Sequence, residues 1–371
     1  MKPALIRSTS LYTPFILLLL FTLILSCSKD AISEVENGIP QSEETDMDDT
    51  TGDMGEPPAA GVTFESGFIL DGARTTLGMV LSQEEYSKFI GGEGDLALVT
   101  QKIYQYIEDD YDLIIILSVE TSHPDGLFFG RSSFIKNDVM GIGAPIFDNT
   151  ATYGSSGRLK SIIYMPRSEY IRQGPFLHEI AHSWGNHGFL DTTVGGHWGY
   201  ASTGGQLGGF DELVSLGNDT YRGRLNGGDG FGTFANGGNT VPYGNVELYI
   251  MGLIGADDIE PVQLAVNPVA GATFGEFTAD AIETITAADI VAQHGARVPN
   301  VENSQKNFKA LTVLISPETI EQDKIDATHS DLENFSRQAE PDASWGNALN
   351  FWEATDARAT IDFTVLEANI K

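Results

Sequence analysis

The chain has 371 residues, of which 52 are acidic and 21 are lysine or arginine, and its formal net charge is −31. So negative a chain lacks the basic footprint that nucleic-acid binding requires, and it is unsuited to lying directly on an anionic membrane. The single cysteine, Cys27, excludes an internal disulfide. Without disulfides of the kind that often stabilise exported proteins, this fold must rest on core packing and on any metal it binds.

The N-terminus has the pattern of an export signal. A short basic start containing Lys2 and Arg7 precedes an apolar run over residues 15–25, and Ser26 and Cys27 follow. The run is too short to span a bilayer comfortably and is typical of a signal peptide, here residues 1–26. Ser26-Cys27 resembles the lipobox of bacterial lipoproteins, which implies cleavage before Cys27 and a lipid on its sulfur. An ordinary signal peptide with an incidental cysteine is the alternative.

Residues 27–60 are predicted to be a flexible acidic tether. Ten carboxylates lie between Asp30 and Glu56 with no basic residue among them, and large apolar side chains are few. Such a segment cannot bury enough apolar surface to fold. We therefore expect the folded part, residues 61–371, to be held at the cell envelope through a lipid anchor on Cys27, on the outer membrane or at the cell surface.

The first half of the folded part predicts a helical region followed by strands. Residues 82–109 have apolar positions near a 3.6-residue period, and residues 113–117 form the short apolar run of a buried strand. Weaker strand patterns follow at residues 126–134 and 141–147, and a better one at 159–165. Residues 167–172 resemble a turn or short helix, and Gly174-Pro175 precedes another helix.

The second half is richer in turns. Residues 191–244 contain many Gly, Asn and Asp, with hairpins expected near residues 212–216 and 231–234, and residues 246–254 are apolar and helical in pattern. A strand over 308–315, a helix capped by Ser316 and reaching about residue 338, and a strand over 360–366 complete the C-terminal part, about residues 255–371. This order predicts an α+β domain with one mixed sheet.

The most specific signal is His178-Glu179-Ile180-Ala181-His182. Two histidines four residues apart lie on one face of a helix, where both imidazoles can bind one zinc ion. Glu179 can then reach a zinc-activated water and act as the general base. The flanking residues are uncharged, as a buried helix requires. The alternative is a helix whose histidines only satisfy hydrogen bonds in the core.

This motif resembles that of the zincin metallopeptidases. The resemblance implies that His178 and His182 are zinc ligands, that Glu179 is the general base, and that protein or peptide is the substrate. It also implies a mixed sheet with a backing helix and an active-site helix, and a substrate that pairs with an edge strand of the sheet. Residues 159–165 are the predicted edge strand.

The third zinc ligand is open in the sequence. Metzincin-like proteins carry a third histidine six residues after His182, where this chain has Gly188, and His187 falls one residue early. His197 follows a flexible loop that could fold back. Glu247 is a lone charge in an apolar stretch, as the ligand of a thermolysin-like zincin would be, although it could instead cap a helix.

Other features leave further alternatives. Tyr200, Tyr243 and Tyr249 are each candidates for stabilising a reaction oxyanion, and Met251 is either core or a turn beneath the metal. The departure at Gly188 also motivates a second hypothesis, a surface binding lipoprotein on a degenerate zincin scaffold. The sequence does not predict an oligomeric state.

Overall fold

The computed structural model describes residues 61–371 and the short strand Ile24–Ser26. The predicted cleavage site, Cys27 and the acidic tether lie outside the described residues. In the part of the chain that is described, no helix combines the length and apolar character needed to cross a membrane.

A mixed β-sheet organises the fold, so the α+β prediction is confirmed at this level. Its four central strands run parallel, and antiparallel strands flank them on both sides. From one edge to the other, the strands of residues 61–371 are Arg131–Phe134, Ser161–Met165, Leu113–Ser118, Asn307–Ser316, Thr76–Val80, Phe68–Leu70 and Val62–Glu65.

The buried strand Leu113–Ser118 shows why the sheet has a core on each face. All six residues are buried, and successive side chains point to opposite faces of a strand. Ile115 packs in the core that contains the His178 helix, whereas Ile114 and Ile116 pack in the core on the other side. A continuous apolar run is therefore required here, as the sequence predicted.

Two helices cover the face opposite the histidines. The predicted helical region 82–109 is divided into Gln83–Ile90 and Leu96–Tyr106, because Gly91 and Gly92 end the first helix and Asp95 caps the second. Asp95 Oδ1 accepts hydrogen bonds from the backbone N–H groups of Ala97 and Leu98. The predicted helical region is thus present, but as two segments.

The predicted edge strand is wrong. Ser161–Met165 has a neighbour on each side, Leu113–Ser118 in parallel and Arg131–Phe134 in antiparallel orientation. At this edge of the sheet, Arg131–Phe134 is the outermost strand of residues 61–371. Ile24–Ser26 pairs with it in antiparallel orientation. The apolar pattern of residues 159–165 is explained by this interior position, since an interior strand is buried on both faces.

The C-terminal strand, helix and strand are present, and they complete the main sheet. Asn307–Ser316 lies between Leu113–Ser118 and Thr76–Val80, and Thr360–Asp362 pairs in parallel with its first residues. The predicted cap at Ser316 is wrong, because Ser316 is still paired within the strand and the helix Gln322–Ser336 begins six residues later.

Turn-rich segments form a small second sheet. Glu212–Gly217 and Thr220–Leu225 make the predicted hairpin, but residues 231–234 contain no strand. The backbone bends at Gly141 and Gly143, whose φ angles are 79° and 80°, and a strand begins only at Phe147. The remaining α-helices and strands are Lys136–Asn137, Phe147–Asp148, Tyr170–Gln173, Phe176–Ala181, Gly228–Asp229, Asn245–Met251, Val262–Val266, Val269–Ala270, Glu276–Thr278, Ala281–Ile285, Ala287–His294 and Phe351–Ala354.

Candidate metal centre

The short helix Phe176–Ala181, here called the site helix, carries the motif. Every one of its residues is buried. Phe176 packs against Phe335 with a ring-centroid distance of 4.5 Å, and the Tyr243 hydroxyl donates to the Leu177 carbonyl at 2.8 Å. The apolar flanks thus fix the helix against the core, and the polar residues of the motif share the remaining face.

Three buried histidines, His178, His182 and His197, meet at this face. Their ligand atoms lie within 4.8 Å of one another, and the Nε2 atoms of His178 and His182 are 3.1 Å apart. Tetrahedral binding at about 2.1 Å would separate two nitrogen ligands by about 3.4 Å. The three side chains are therefore close enough to hold a metal ion.

A backbone carbonyl orients each imidazole. The Nδ1 atoms of His178, His182 and His197 lie 2.8, 2.8 and 2.7 Å from the carbonyl oxygens of Gln206, Gly185 and Gly195, respectively. A carbonyl can only accept, so each Nδ1 carries a proton and each Nε2 keeps a lone pair. This tautomer is the one that a metal ligand needs.

Burial keeps the three imidazoles neutral. It lowers the pKa of His178 to about 3 and that of His197 to about 4, and it holds the pKa of His182 well below its ordinary value. The neighbouring histidines add to the effect at His178 and His182, because a second positive charge so close would be repelled. At neutral pH the lone pairs are available to a metal.

A loop after the site helix returns His197 to the motif. Asn186 accepts hydrogen bonds from the backbone N–H groups of Phe189 and Leu190 at 2.7 and 3.1 Å, and its Nδ2 donates to the His197 carbonyl at 3.3 Å. Thr192 Oγ1 also donates to that carbonyl at 2.7 Å. The sequence placed His197 on a flexible loop, whereas these contacts fix its position.

His187 is not part of the cluster. Its ring stacks on Phe134 of the outermost strand at 4.4 Å, and its Nε2 lies 3.0 Å from the His182 carbonyl. The Nε2 atom is therefore used as a donor to the backbone. The turn after His182 directs the His187 ring towards the sheet, so His187 lies outside the histidine cluster.

Glu247 is not among the clustered ligands, but it forms hydrogen bonds with segments next to them. Its carboxylate accepts from Trp198 Nε1 at 3.0 Å and from the backbone N–H groups of Gln206, Leu207 and Gly244 at 3.0, 2.6 and 2.9 Å. Glu247 thus caps its own helix, as the capping alternative predicted. Burial raises its pKa, and the four hydrogen bonds oppose that rise.

The backbone approaches both buried glutamates closely. A Cβ on Gly130 would lie 2.5 Å from Glu179 Oε1, and a Cβ on Gly205 would lie 2.1 Å from Glu247 Oε2. Gly130 directly precedes the outermost strand, so this strand runs past the proposed general base. Only glycine leaves room for such an approach.

An aromatic group borders this side of the site. Phe129 stacks on His123 with a centroid distance of 3.9 Å and on Tyr170 at 5.5 Å, and the Tyr170 hydroxyl lies 3.1 Å from His123 Nδ1. Because Phe129 is adjacent to Gly130, this stack flanks the strand that passes Glu179. No pattern in the sequence indicates this aromatic stack.

Two of the tyrosines proposed to stabilise a reaction oxyanion have other structural roles. Tyr243 is buried and donates to the Leu177 carbonyl, and Tyr249 is buried against Phe189. Tyr200 packs on Phe277 in the core of the small sheet at 4.8 Å.

The sequence analysis also missed Asn186 and Gln206, which orient His197 and His178. Asn186 offered a weak signal, since Asn next to Gly is typical of a structured turn. Gln206 offered none.

Comparison with known proteins identifies no relative of this chain. The sequence matches no family model, and neither the curated proteins nor the solved structures contain a significant match.

Proposed function

We propose that the protein is a zinc-dependent endopeptidase of the zincin type, acting outside the cytoplasm. The observation that supports this most strongly is the convergence of His178, His182 and His197 beside Glu179. The first hypothesis for the third ligand, His197, is the one that the geometry favours over Glu247.

Zinc is the metal that suits this donor set. Three neutral imidazoles with an open fourth position are typical of catalytic zinc sites. When bound, zinc lowers the pKa of a coordinated water to about 7 and polarises a substrate carbonyl. The Nδ1 hydrogen bonds of the three histidines hold the rings in place before any metal arrives.

Glu179 is the proposed general base and acid. It follows His178 directly and is fully buried on the helix that carries the first two ligands. In this role its carboxylate takes a proton from the attacking water and passes it to the leaving amine. The close approach of Gly130 restricts where that carboxylate can lie.

The outermost strand Arg131–Phe134 provides a surface for an extended peptide. It can pair with another chain segment, because the backbone of Ile24–Ser26 pairs with it in antiparallel register. Cleavage before Cys27, as the lipobox-like sequence predicts, would remove that segment and expose the strand. A substrate bound there would pass Gly130 and therefore Glu179, which favours a peptide substrate.

The position of His197 beside the motif weakens the alternative of a binding protein on a degenerate scaffold. It was motivated by Gly188 at the position of a third histidine. His197 supplies a third imidazole from another part of the loop, so the scaffold need not be degenerate. Anchoring by a lipid on Cys27 at the outer membrane or cell surface remains part of the proposal.

The test uses the soluble part of the chain, residues 61–371, loaded with zinc. We expect one zinc per chain and cleavage of a labelled unstructured protein such as casein. Glu179→Gln should retain zinc and lose about 10²–10⁴-fold in rate, and Glu340→Gln, an exposed control, should change neither. A zinc-loaded wild type that cleaves neither casein nor a broad peptide mixture would contradict the peptidase assignment. A chain without zinc would contradict the metal site.

A further inference from the structure

A cavity of about 280 Å³ is lined by residues that do not belong to the histidine cluster, with Trp184 in its wall. Its walls include Trp184, Met251 and Phe308, which are buried and apolar, while Asp138 and Asn303 at its rim are exposed. The cavity is therefore connected to solvent and large enough for a small organic molecule.

Two cationic side chains line the cavity, Lys160 and Arg297. Arg297 is only 6% exposed. It donates from Nε to the Ile250 carbonyl at 3.1 Å and from Nη1 to Ser304 Oγ at 2.5 Å, and it also donates to the Pro299 carbonyl. These contacts fix the guanidinium group, but all of these acceptors are uncharged.

The charges of these two cations are poorly compensated. Within residues 61–371, neither Lys160 nor Arg297 forms an ion pair, and the Lys160 ammonium group makes no hydrogen bond. Burial lowers the pKa of Lys160 and lowers that of Arg297 to about 10. Arg297 is buried and Lys160 is partly buried, and a buried charge normally requires a partner. Two such cations are unusual in a chain with a net charge of −31.

Two nearby carboxylates do not remove this imbalance. Asp112 raises the pKa of Lys160 through its charge, but it is paired with Arg158 at 3.0 Å. Asp138 raises the pKa of both Lys160 and Arg297 through its charge, although burial has the larger effect. Its side chain is 50% exposed and lies 3.6 Å from the Lys136 ammonium group. Asp138 is thus shared with another cation and solvated at the rim, where its attraction is screened.

We propose that this cavity binds a small organic carboxylate with a flat apolar part. The carboxylate would lie between Lys160 and Arg297, since arginine binds carboxylates with strong, directional hydrogen bonds. The apolar part would contact Trp184, Phe308 and Met251. This inference does not depend on the peptidase proposal, because none of these residues is a proposed metal ligand or base.

The test is calorimetric titration of zinc-loaded residues 61–371 with benzoate, benzamide and inorganic phosphate. We expect saturable binding of benzoate, with benzamide and phosphate each weaker by about tenfold or more, because benzamide lacks the charge and phosphate lacks the apolar part. Absence of benzoate binding at about 10 mM would overturn the proposal. Equal binding of benzamide or of phosphate would overturn the stated ligand class.

Matched variants assign the binding to the cavity. Lys160→Met should weaken benzoate binding by about tenfold or more, and Lys160→Arg should retain most of it. Lys102→Met removes the same charge from a half-buried lysine that pairs with Glu65 elsewhere, and it should leave binding unchanged. Equal benzoate affinity in folded Lys160→Met and Lys102→Met would contradict the proposed site.

Discussion

Glu247 is linked to His178 through a single residue, Gln206. The Glu247 carboxylate accepts the backbone N–H of Gln206 at 3.0 Å, and the carbonyl of Gln206 accepts the Nδ1 proton of His178 at 2.8 Å. Glu247 also binds Trp198 Nε1, next to His197 in the chain. One buried carboxylate therefore positions the segments that carry or orient two of the three clustered imidazoles.

We predict that Glu247→Gln weakens zinc binding without removing a ligand. A glutamine presents an N–H₂ group where the carboxylate accepts backbone protons, so at least one buried donor loses its partner, at a cost of about 1–3 kcal/mol. Loss of such supporting contacts typically lowers metal affinity about 10–100-fold. Zinc affinity by competition with a chelator and the free energy of unfolding in urea would measure both effects.

Asp258→Asn is the matched control for this prediction. Asp258 makes the same type of cap on an exposed short helix, accepting the backbone N–H of Gly255 at 3.0 Å. Its replacement should leave zinc affinity unchanged. If folded Glu247→Gln binds zinc as tightly as Asp258→Asn, Glu247 does not position the ligands.

Replacing two histidines of the same loop should have opposite consequences for the metal. His197→Ala should lower zinc affinity more than about 100-fold, since it removes a proposed ligand and not a supporting contact. His187→Ala should leave one zinc per chain, because the His187 ring stacks on Phe134 and its Nε2 faces the His182 carbonyl. Zinc content after dialysis distinguishes them, and the reverse pattern would show that His187 is the ligand.

Gly130→Ala should reduce catalysis while zinc remains bound. The new Cβ would lie 2.5 Å from Glu179 Oε1, so the carboxylate has to move. A displacement of about 1 Å can cost about 10²-fold in rate. Steady-state cleavage and zinc content are the measurements. Gly228→Ala is the control, because its Cβ would meet only the Leu225 carbonyl, at 3.4 Å. An active Gly130→Ala enzyme would contradict this role of the close approach.

The contribution of Asp331 to the free energy of unfolding should be larger in mild acid than at neutral pH. Burial raises its pKa to about 6, with a smaller contribution from Glu169, whereas Arg172 and Lys324 oppose the rise. In the unfolded chain the pKa is about 3.9. The folded state therefore holds this proton more tightly, and the stabilisation present below pH 4 is lost as pH rises to 6.

Asp331→Asn should therefore raise the free energy of unfolding at pH 7 and leave it unchanged at pH 4. The full shift corresponds to about 2.7 kcal/mol, and solvent screening of a partly exposed group reduces this to about 1 kcal/mol. Urea unfolding at the two pH values measures the difference. Asp326→Asn, an exposed change on the same helix, should alter neither value. A gain that is equal at pH 4 and pH 7 would indicate a packing effect.

Local sequence patterns predicted several elements correctly because apolar residues mark the positions that are buried. Residues 113–117 are apolar throughout because both faces of their strand are buried. The edge position of residues 159–165, which the zincin resemblance suggested, is wrong, since an apolar composition reports burial but not which neighbours a strand has. The role of Asn307–Ser316 in the middle of the sheet is a non-local pairing that no local pattern encodes.

The sequence alone determined the pair His178 and His182, with Glu179 beside them, because helical spacing places them on one face whatever surrounds the helix. It left His197, Glu247 and His187 as competing third ligands. Only the tertiary structure shows which of these residues lies beside the pair, because the contacts of Asn186 fold the loop back at His197 and four hydrogen bonds occupy Glu247. A ligand delivered by a loop depends on where the loop is held, and that is set by partners distant in the chain.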